Sequence, residues 1–436
     1  MGTLLEDEAV EFVRELIRID SVNTGVADTI GDGETRAARF VQAKLEEVGI
    51  GTTFVEPVAG RGSVVARMAG SDSEAEALIV HAHLDVVPVE ASDWTHPPFG
   101  AEVHDGVLYG RGAVDMKNFA GVILAIARDL ARTGTAPRRD IVFAFLADEE
   151  AGGRWGASWL VDNRPELFAG AGDAISEVGG FSVPILPGKR AYLLATAEKG
   201  VSGAQLTARG EAGHGSRPRP TDAVTRLAGA VSRIGQHRFP VVRTPALHEF
   251  LRIVGEARGV EFTDDELDAQ LDELGFTGRL IQASARQTAA PTVLRAGGKF
   301  NVIPAAAEAH VDLRALPDGE DALWDDIREL AGDDIEVEWD VAISPIASPV
   351  DAPFVDTIRE ALSAEDPDGV VVPFLLPAST DNKHFSRLGV RGYGFVPLRV
   401  PDDFDVYGQF HAADERIPVE SLRFAARTTL RIVLGA

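Results

Sequence analysis

Cysteine is absent from the 436-residue chain. Its absence excludes disulfides and thiolate metal sites, so any bound metal must rely on histidine and carboxylate ligands. No apolar run approaches the roughly 18 residues of a membrane-spanning helix. Lysine is scarce, with six residues, so nearly all the positive charge is arginine. Positive charge is itself in deficit: 42 basic residues face 68 acidic ones, for a net charge of −26. Such a polyanion repels nucleic acid and anionic membranes, and neither is an expected partner. Internal repeats and low-complexity tracts are missing too. The N-terminus, MGTLLEDEAVEF, has neither the basic start nor the apolar core of a signal peptide, and the cytoplasm is the expected compartment.

What remains is ordinary globular material, 45% hydrophobic and 25% charged, long enough for two domains. Apolar periodicity predicts helices over 5–19, 34–48 and 118–133. Strands are predicted over 52–56, 63–68, 77–83 and 141–146. This alternation argues for an α/β sheet covered on both faces. Beyond Lys199 the pattern changes. Segments 204–208 and 308–314 alternate apolar and polar residues, as a half-exposed antiparallel sheet does. A helix is predicted over 222–234, and the charged stretch 263–274 reads as an exposed helix. The α/β pattern resumes after Leu316 and closes with a helix near 419–434.

Chemistry-bearing residues gather at strand ends. In HAHLDVVP (81–88), His83 and Asp85 sit at i and i+2 on one face, as a metal ligand and its orienting acid would. An isolated H-x-D is more often a polar-capped strand end. In GRGAVDMKN (110–118), Asp115 lies in a Gly-rich turn just before a helix. A phosphate loop is the rival reading there, but G-x-G-x-x-G is missing and Asp115 would repel a phosphate. IVFAFLADEEAGG (141–153) ends in three consecutive carboxylates, Asp148, Glu149 and Glu150, and AISEVGG brings Glu177 to another strand end. Ligands of open α/β sheets gather beyond the carboxyl ends of the strands. Converging carboxylates repel one another unless divalent cations join them. The plain alternative is a set of solvated loop acids in an acidic protein.

Together these segments resemble the co-catalytic dizinc family of glutamate carboxypeptidase, carboxypeptidase S, aminoacylase, acetylornithine deacetylase and succinyl-diaminopimelate desuccinylase. The likeness runs along almost the whole chain: HAHLDVVP, DWTHPPF, GRGAVDMK, ADEEAGG, SEVGG, AGHGSRP, NVIPAAAEAHVDLR and FHAADERIP. PASTDNKHF (377–385) is similar to the carboxypeptidase S branch. The resemblance implies a zinc-peptidase-like catalytic domain, 1–197 and 317–436, with a central mostly parallel sheet flanked by helices. It also implies an inserted α+β lid and dimerisation domain, 198–316, in which the stretch 244–291 is extra.

For the site, the resemblance implies two zinc ions per subunit, with cobalt or manganese as substitutes. His83, Asp115 and Glu177 would hold one, and Asp115, Glu150 and His411 the other. Asp85 would orient His83, and Glu149 would be the general base. His214 would stabilise the oxyanion, often from the other subunit of a homodimer. Asn301 and Arg314 would hold the substrate. The peptide bond after Asp115 would be cis. Asp148 is left with a structural part. The leading expectation is hydrolysis of an amide bond beside a free carboxylate, by a carboxypeptidase or dipeptidase acting on small peptides. The alternatives are an N-acyl-amino-acid amidohydrolase (aminoacylase, deacylase or desuccinylase) and an inactive peptide-binding module.

Overall fold

A computed structural model describes residues 3–435. The first helix, Leu4–Arg18, begins in a capping box: the Thr3 hydroxyl accepts the Glu6 N–H and the Glu6 carboxylate accepts the Thr3 N–H. Its buried stripe of Ala9, Phe12, Val13, Leu16 and Ile17 packs on helix Lys117–Thr133. The backbones meet at Gly121, where a Cβ would fall 2.6 Å from the Val13 nitrogen. Helices Gly33–Glu46 and Val419–Leu434 join this layer. No helix among the described residues is long and apolar enough to cross a membrane.

The layer covers a ten-stranded sheet. Its order runs Thr52–Val55, Ser63–Met68, Ile141–Leu146, Ala77–His83, Ala171–Ser176, Arg391–Gly394, Lys189–Glu198, Ile346–Ala347, with Gly369–Leu376 and Ser182–Leu186 also pairing Lys189–Glu198. The expected parallel pairing forms the centre of this sheet. Ile141–Leu146, Ala77–His83, Ala171–Ser176 and Arg391–Gly394 form a parallel centre. Most pairings outside that centre are antiparallel. Short connections such as that between Thr52–Val55 and Ser63–Met68 leave no room for the crossover that parallel neighbours require. The sheet is therefore mixed. Ala77–His83 and Ile141–Leu146 are buried along their whole length, as strands covered on both faces must be.

A second sheet, wholly antiparallel, orders Thr288–Ala296, Ala306–Ala315, Gly200–Arg209 and Ile335–Ile343. Burial alternates strictly along Gly200–Val201 to Ala208, so one face looks outward. Helices Ala223–Gln236 and Glu320–Ala331 cover the other face through Leu227, Ile234, Leu323 and Ile327, which share a core with Leu206, Val311 and Leu313.

Two expectations about this insertion change. Its boundary at residue 316 moves, because Glu320–Ala331 and Ile335–Ile343 belong to the second sheet's unit. Periodicity identifies a strand but not the sheet it joins. The extra stretch also packs elsewhere. Helices Pro245–Arg258 and Gly275–Ser284 bury Leu247, Phe250, Leu251, Val254, Leu280 and Ile281 in the main core, beside Val372 and Phe374. The predicted exposed helix shrinks to Leu267–Asp272, with Leu267 and Leu271 buried.

Helix Pro353–Glu365 is tied to the main sheet through the next residue, Asp366. This buried carboxylate accepts a fork from Arg190, 2.6 Å at Nε, and the Tyr192 hydroxyl at 2.7 Å. Burial alone would raise its pKa, but the bonds from Arg190 and Tyr192 outweigh burial and hold it below the usual range. A depressed folded-state pKa stabilises the fold above about pH 4, and that contribution disappears as pH falls through the folded value. Asp366→Asn should therefore destabilise the protein by about 1–3 kcal/mol at pH 7. The gap from wild type should narrow toward pH 3. Urea unfolding at the two pH values measures both, and equal midpoints at pH 7 would refute the assignment.

Candidate active site

Three adjacent parallel strands, Ile141–Leu146, Ala77–His83 and Ala171–Ser176, end at the same edge of the sheet. His83 is the last residue of its strand. Glu177 follows Ser176 directly, and Glu149 and Glu150 open a single 3-10 turn, Glu149–Ala151, just past Leu146. Asp115 arrives from the turn before helix Lys117–Thr133, and His411 from a loop near the C-terminus. Both Asp115–Met116, as the resemblance implied, and Glu177–Val178 are cis peptide bonds.

The side chains converge on Asp115. His83 Nε2 lies 3.0 Å from Asp115 Oδ1 and 3.5 Å from Glu177 Oε2. His411 Nε2 lies 3.3 Å from Asp115 Oδ2 and 3.2 Å from Glu150 Oε2. Each Asp115 oxygen thus faces a different imidazole. Glu149 shares the first pocket: it, His83 and Glu177 offer one atom each, all within 4.8 Å of one another. His83, Asp115 and Glu150 form a second such group.

Asp85 is fully buried beneath this arrangement. Its backbone carbonyl lies 3.0 Å from His83 Nδ1. Its carboxylate accepts the backbone N–H groups of Glu149 (3.1 Å) and Glu150 (3.0 Å) and the Asn23 amide (2.9 Å). One acid therefore fixes both the His83 ring and the turn that presents the two glutamates. Asp148 shares the Asn23 amide with Asp85, at 3.2 Å. It is paired with Arg61 and accepts the Trp155 N–H at 2.9 Å.

The electrostatics reflect crowding. Burial raises the Glu150 pKa to about 8, with the Asp115 charge adding to it. Burial likewise raises Glu177 and Glu149, although neighbouring cations pull the other way. For His83, burial would lower the pKa, but the Glu177 charge and bonds from Asp115 and Asp85 lift it well above the ordinary value. Hydrogen bonds with Asp115 and Glu150 raise His411 to about 10. Asp115 is held low by both imidazoles despite its burial.

Seven of the ten residues singled out in the sequence meet here: His83, Asp85, Asp115, Glu149, Glu150, Glu177 and His411. The other three belong to the second sheet's unit. His214 is exposed on the short strand Gly213–His214, its Nδ1 2.9 Å from the Ser216 hydroxyl. Asn301 lies beside it, its carbonyl oxygen accepting the Gly215 N–H. The Asn301 side-chain oxygen is buried without a partner. Arg314 pairs in a fork with Asp312 at 2.7 and 2.9 Å. Burial draws the pKa of Lys199 down to about 7, with the charges of Arg314 and Arg286 adding to it.

Two sets of neighbours lie in motifs already quoted but were given no role there. Glu415, fully buried, accepts the N–H groups of Gly112, Val114 and Asp115 and pairs with Arg111 at 2.9 Å, so it holds the turn that presents Asp115. The segment 380–384 comes up beside Glu149. Lys383 Nζ lies 3.6 Å from Glu149 Oε1. Asn382 bonds His81 at 3.0 Å, and Thr380 donates to Glu198 at 2.6 Å. Both Asp381 carboxylate oxygens are buried without a hydrogen-bond partner, with His384 Nε2 4.0 Å from Oδ1. Gly153, at φ 71°, passes so close that a Cβ there would fall 2.7 Å from Asp381 Oδ1. The available signal was a run of six polar residues, Ser379 to His384, between apolar segments in a chain with so few lysines.

Buried carboxylates around two imidazoles, beyond the carboxyl ends of parallel strands, define a metal-dependent hydrolase of amide bonds. Residues 79–435 match Peptidase family M20/M25/M40, and the chain belongs to that family. It is 30% identical over 389 residues to the probable carboxypeptidase S-like 2 of Dictyostelium discoideum, with 83% of this chain and 72% of that one covered. Against the N-fatty-acyl-amino acid synthase/hydrolase PM20D1 of Homo sapiens the identity is 29% over 412 residues, covering 89% and 80%. Among solved structures, the M20 family metallo-carboxypeptidase of Sulfolobus solfataricus superposes with a TM-score of 0.72 at 19% identity, over 98% of this chain and 99% of that one.

Proposed function

We propose that this protein hydrolyses the amide bond beside the free carboxylate of small peptides, as a carboxypeptidase or dipeptidase. The observation that carries the reading is the division of the Asp115 carboxylate between two imidazoles. That arrangement suits a pair of divalent cations sharing Asp115, one held also by His83 and Glu177, the other by Glu150 and His411. The donors fit such ions: two imidazoles and carboxylates, no thiolate, and a buried Glu150 Oε1 with no partner. The ions we assign are zinc, with cobalt or manganese as substitutes. When bound, they would supply the Lewis acidity that polarises the substrate carbonyl and eases proton loss from the attacking water.

This chain's residues do the rest. Glu149 takes the proton from the attacking water and delivers it to the leaving nitrogen as the C–N bond breaks. Asp85 holds the Glu149 backbone and the His83 ring in register. Lys383 keeps the Glu149 carboxylate turned toward the site. Arg314 and Asn301 would receive the substrate carboxylate and backbone, a task for which a guanidinium fork is suited. His214, exposed in this chain, would supply an oxyanion donor, and a homodimer through the second sheet's unit is the arrangement that would bring it to a neighbouring site. A cytoplasmic location fits a reaction on small soluble substrates.

The second reading is an N-acyl-amino-acid amidohydrolase, favoured by the likeness to PM20D1. The bond cleaved and the carboxylate beside it are the same; only the acyl side differs. An inactive binding module is disfavoured by the presence of Glu149 and every proposed ligand. A panel of dipeptides, C-terminally blocked dipeptides and N-acyl amino acids, assayed with and without chelator, tests the proposal. Chelator-sensitive cleavage of free dipeptides is expected, with the blocked ones resistant. Cleavage of N-acyl amino acids alone would install the second reading, and no chelator-sensitive cleavage would remove both.

A further inference from the structure

A second group of ligating side chains lies outside the cluster. Glu102 and His104 stand at i and i+2 on the short strand Glu102–His104 and so share a face. His96 comes to them from the preceding loop. The two imidazoles stack with centroids 4.0 Å apart and planes 17° from parallel, and His96 also packs on the Tyr109 ring at 4.5 Å. Glu102 Oε2 lies 2.8 Å from His104 Nε2 and 3.7 Å from His96 Nδ1. All three residues offer one ligand atom within 4.8 Å of the others. A tetrahedral zinc site with ligand distances near 2.1 Å separates its ligand atoms by about 3.4 Å. The two contacts to Glu102 bracket that value, and turning one of the two stacked, partly exposed rings out of parallel would aim both in-plane nitrogens at one ion.

We propose that His96, Glu102 and His104 bind one further divalent cation of the zinc, nickel or copper type, with water completing its coordination. Two imidazole nitrogens and one carboxylate oxygen are a donor set that these ions prefer over magnesium or calcium. Its place in the fold gives the ion a consequence. Thr95 donates to Asp414 through both its backbone N–H and its hydroxyl, each at 2.7 Å. Asp414 lies in the loop that carries His411. An ion joining His96 to the strand Glu102–His104 fixes the residue next to Thr95, and through Thr95 it braces that loop. Occupancy of the outer site thereby steadies a ligand of the inner one.

Zinc titration by equilibrium dialysis and elemental analysis, on wild type, His104→Ala and Glu102→Gln, tests the proposal. Wild type should hold one more equivalent at saturation than either variant. The readout is a difference between proteins, so it stands whatever number of ions the cluster around Asp115 holds. Two variants guard against one that misfolds. Equal stoichiometry in the three folded proteins would overturn the site. Hydrogen exchange adds the second arm: amides of residues 411–415 should exchange more slowly as wild type takes up the last equivalent, and not in the variants. Unchanged exchange there would overturn the brace.

Discussion

Glu149→Ala should keep the metal content of wild type and lower kcat by about 10²–10⁴-fold, the span that a positioned general base contributes. The geometry makes this a sharp test, because Glu149 stands close enough to His83 and Glu177 to be a ligand itself. The two roles separate cleanly. A ligand's removal lowers metal content, whereas a base's removal leaves the metal and takes the rate. The backbone supports the second role. Glu149 and Glu150 both hang from Asp85 through their N–H groups, and the turn then sends their side chains different ways. Glu150 reaches His411, and Glu149 reaches Lys383. Elemental analysis beside steady-state kinetics decides it. Loss of an equivalent of metal would make Glu149 a ligand, and wild-type kcat would remove it from the reaction.

Glu150→Ala carries the complementary expectation: one equivalent of metal lost per chain, and kcat/KM down by more than about 10²-fold. Even groups that only orient metal ligands contribute 10–100-fold, so a ligand should contribute more. Removing Glu150 leaves His411 with Asp115 as its single carboxylate partner, on a loop and half exposed. The position that depends on these three side chains should empty first. The position at His83 and Glu177 should remain filled. Unchanged metal content in this variant would count decisively against the ligand assignment.

Much of the site was legible in the sequence for a physical reason. Strands 63–68, 77–83 and 141–146 coincide with those observed because each is a short apolar run with a polar or glycine-rich stop, and burial on both faces leaves little freedom at the ends. Their stops are the site, so His83, Glu149 and Glu150 came with the strands. The final helix was expected near 419–434 and runs Val419–Leu434, with Leu422, Ala425, Thr429 and Ile432 buried. Pairing was not. Nothing in Ile335–Ile343 says that its neighbour is Gly200–Arg209 rather than a strand of the main sheet, and the apolar stripe of Pro245–Arg258 does not name the surface it will cover. Lys383 and Glu415 were hidden because their significance comes from what they touch, more than 200 residues away in each case.

The path of the chain between the two sheets has a consequence for engineering. Phe239 belongs to the second core and Val241 to the first, and the chain returns between Ala285 and Ala289. With the passages near Lys199 and Pro345, the second unit is stitched to the first at four points. It is not a cassette between two cuts. A graft of this unit from a relative needs two separate pieces, one around 200–239 and one around 288–343, with 245–284 left in the recipient. Excising 198–316 as a block would instead strip helices from the main core and leave Ile335–Ile343 without its sheet.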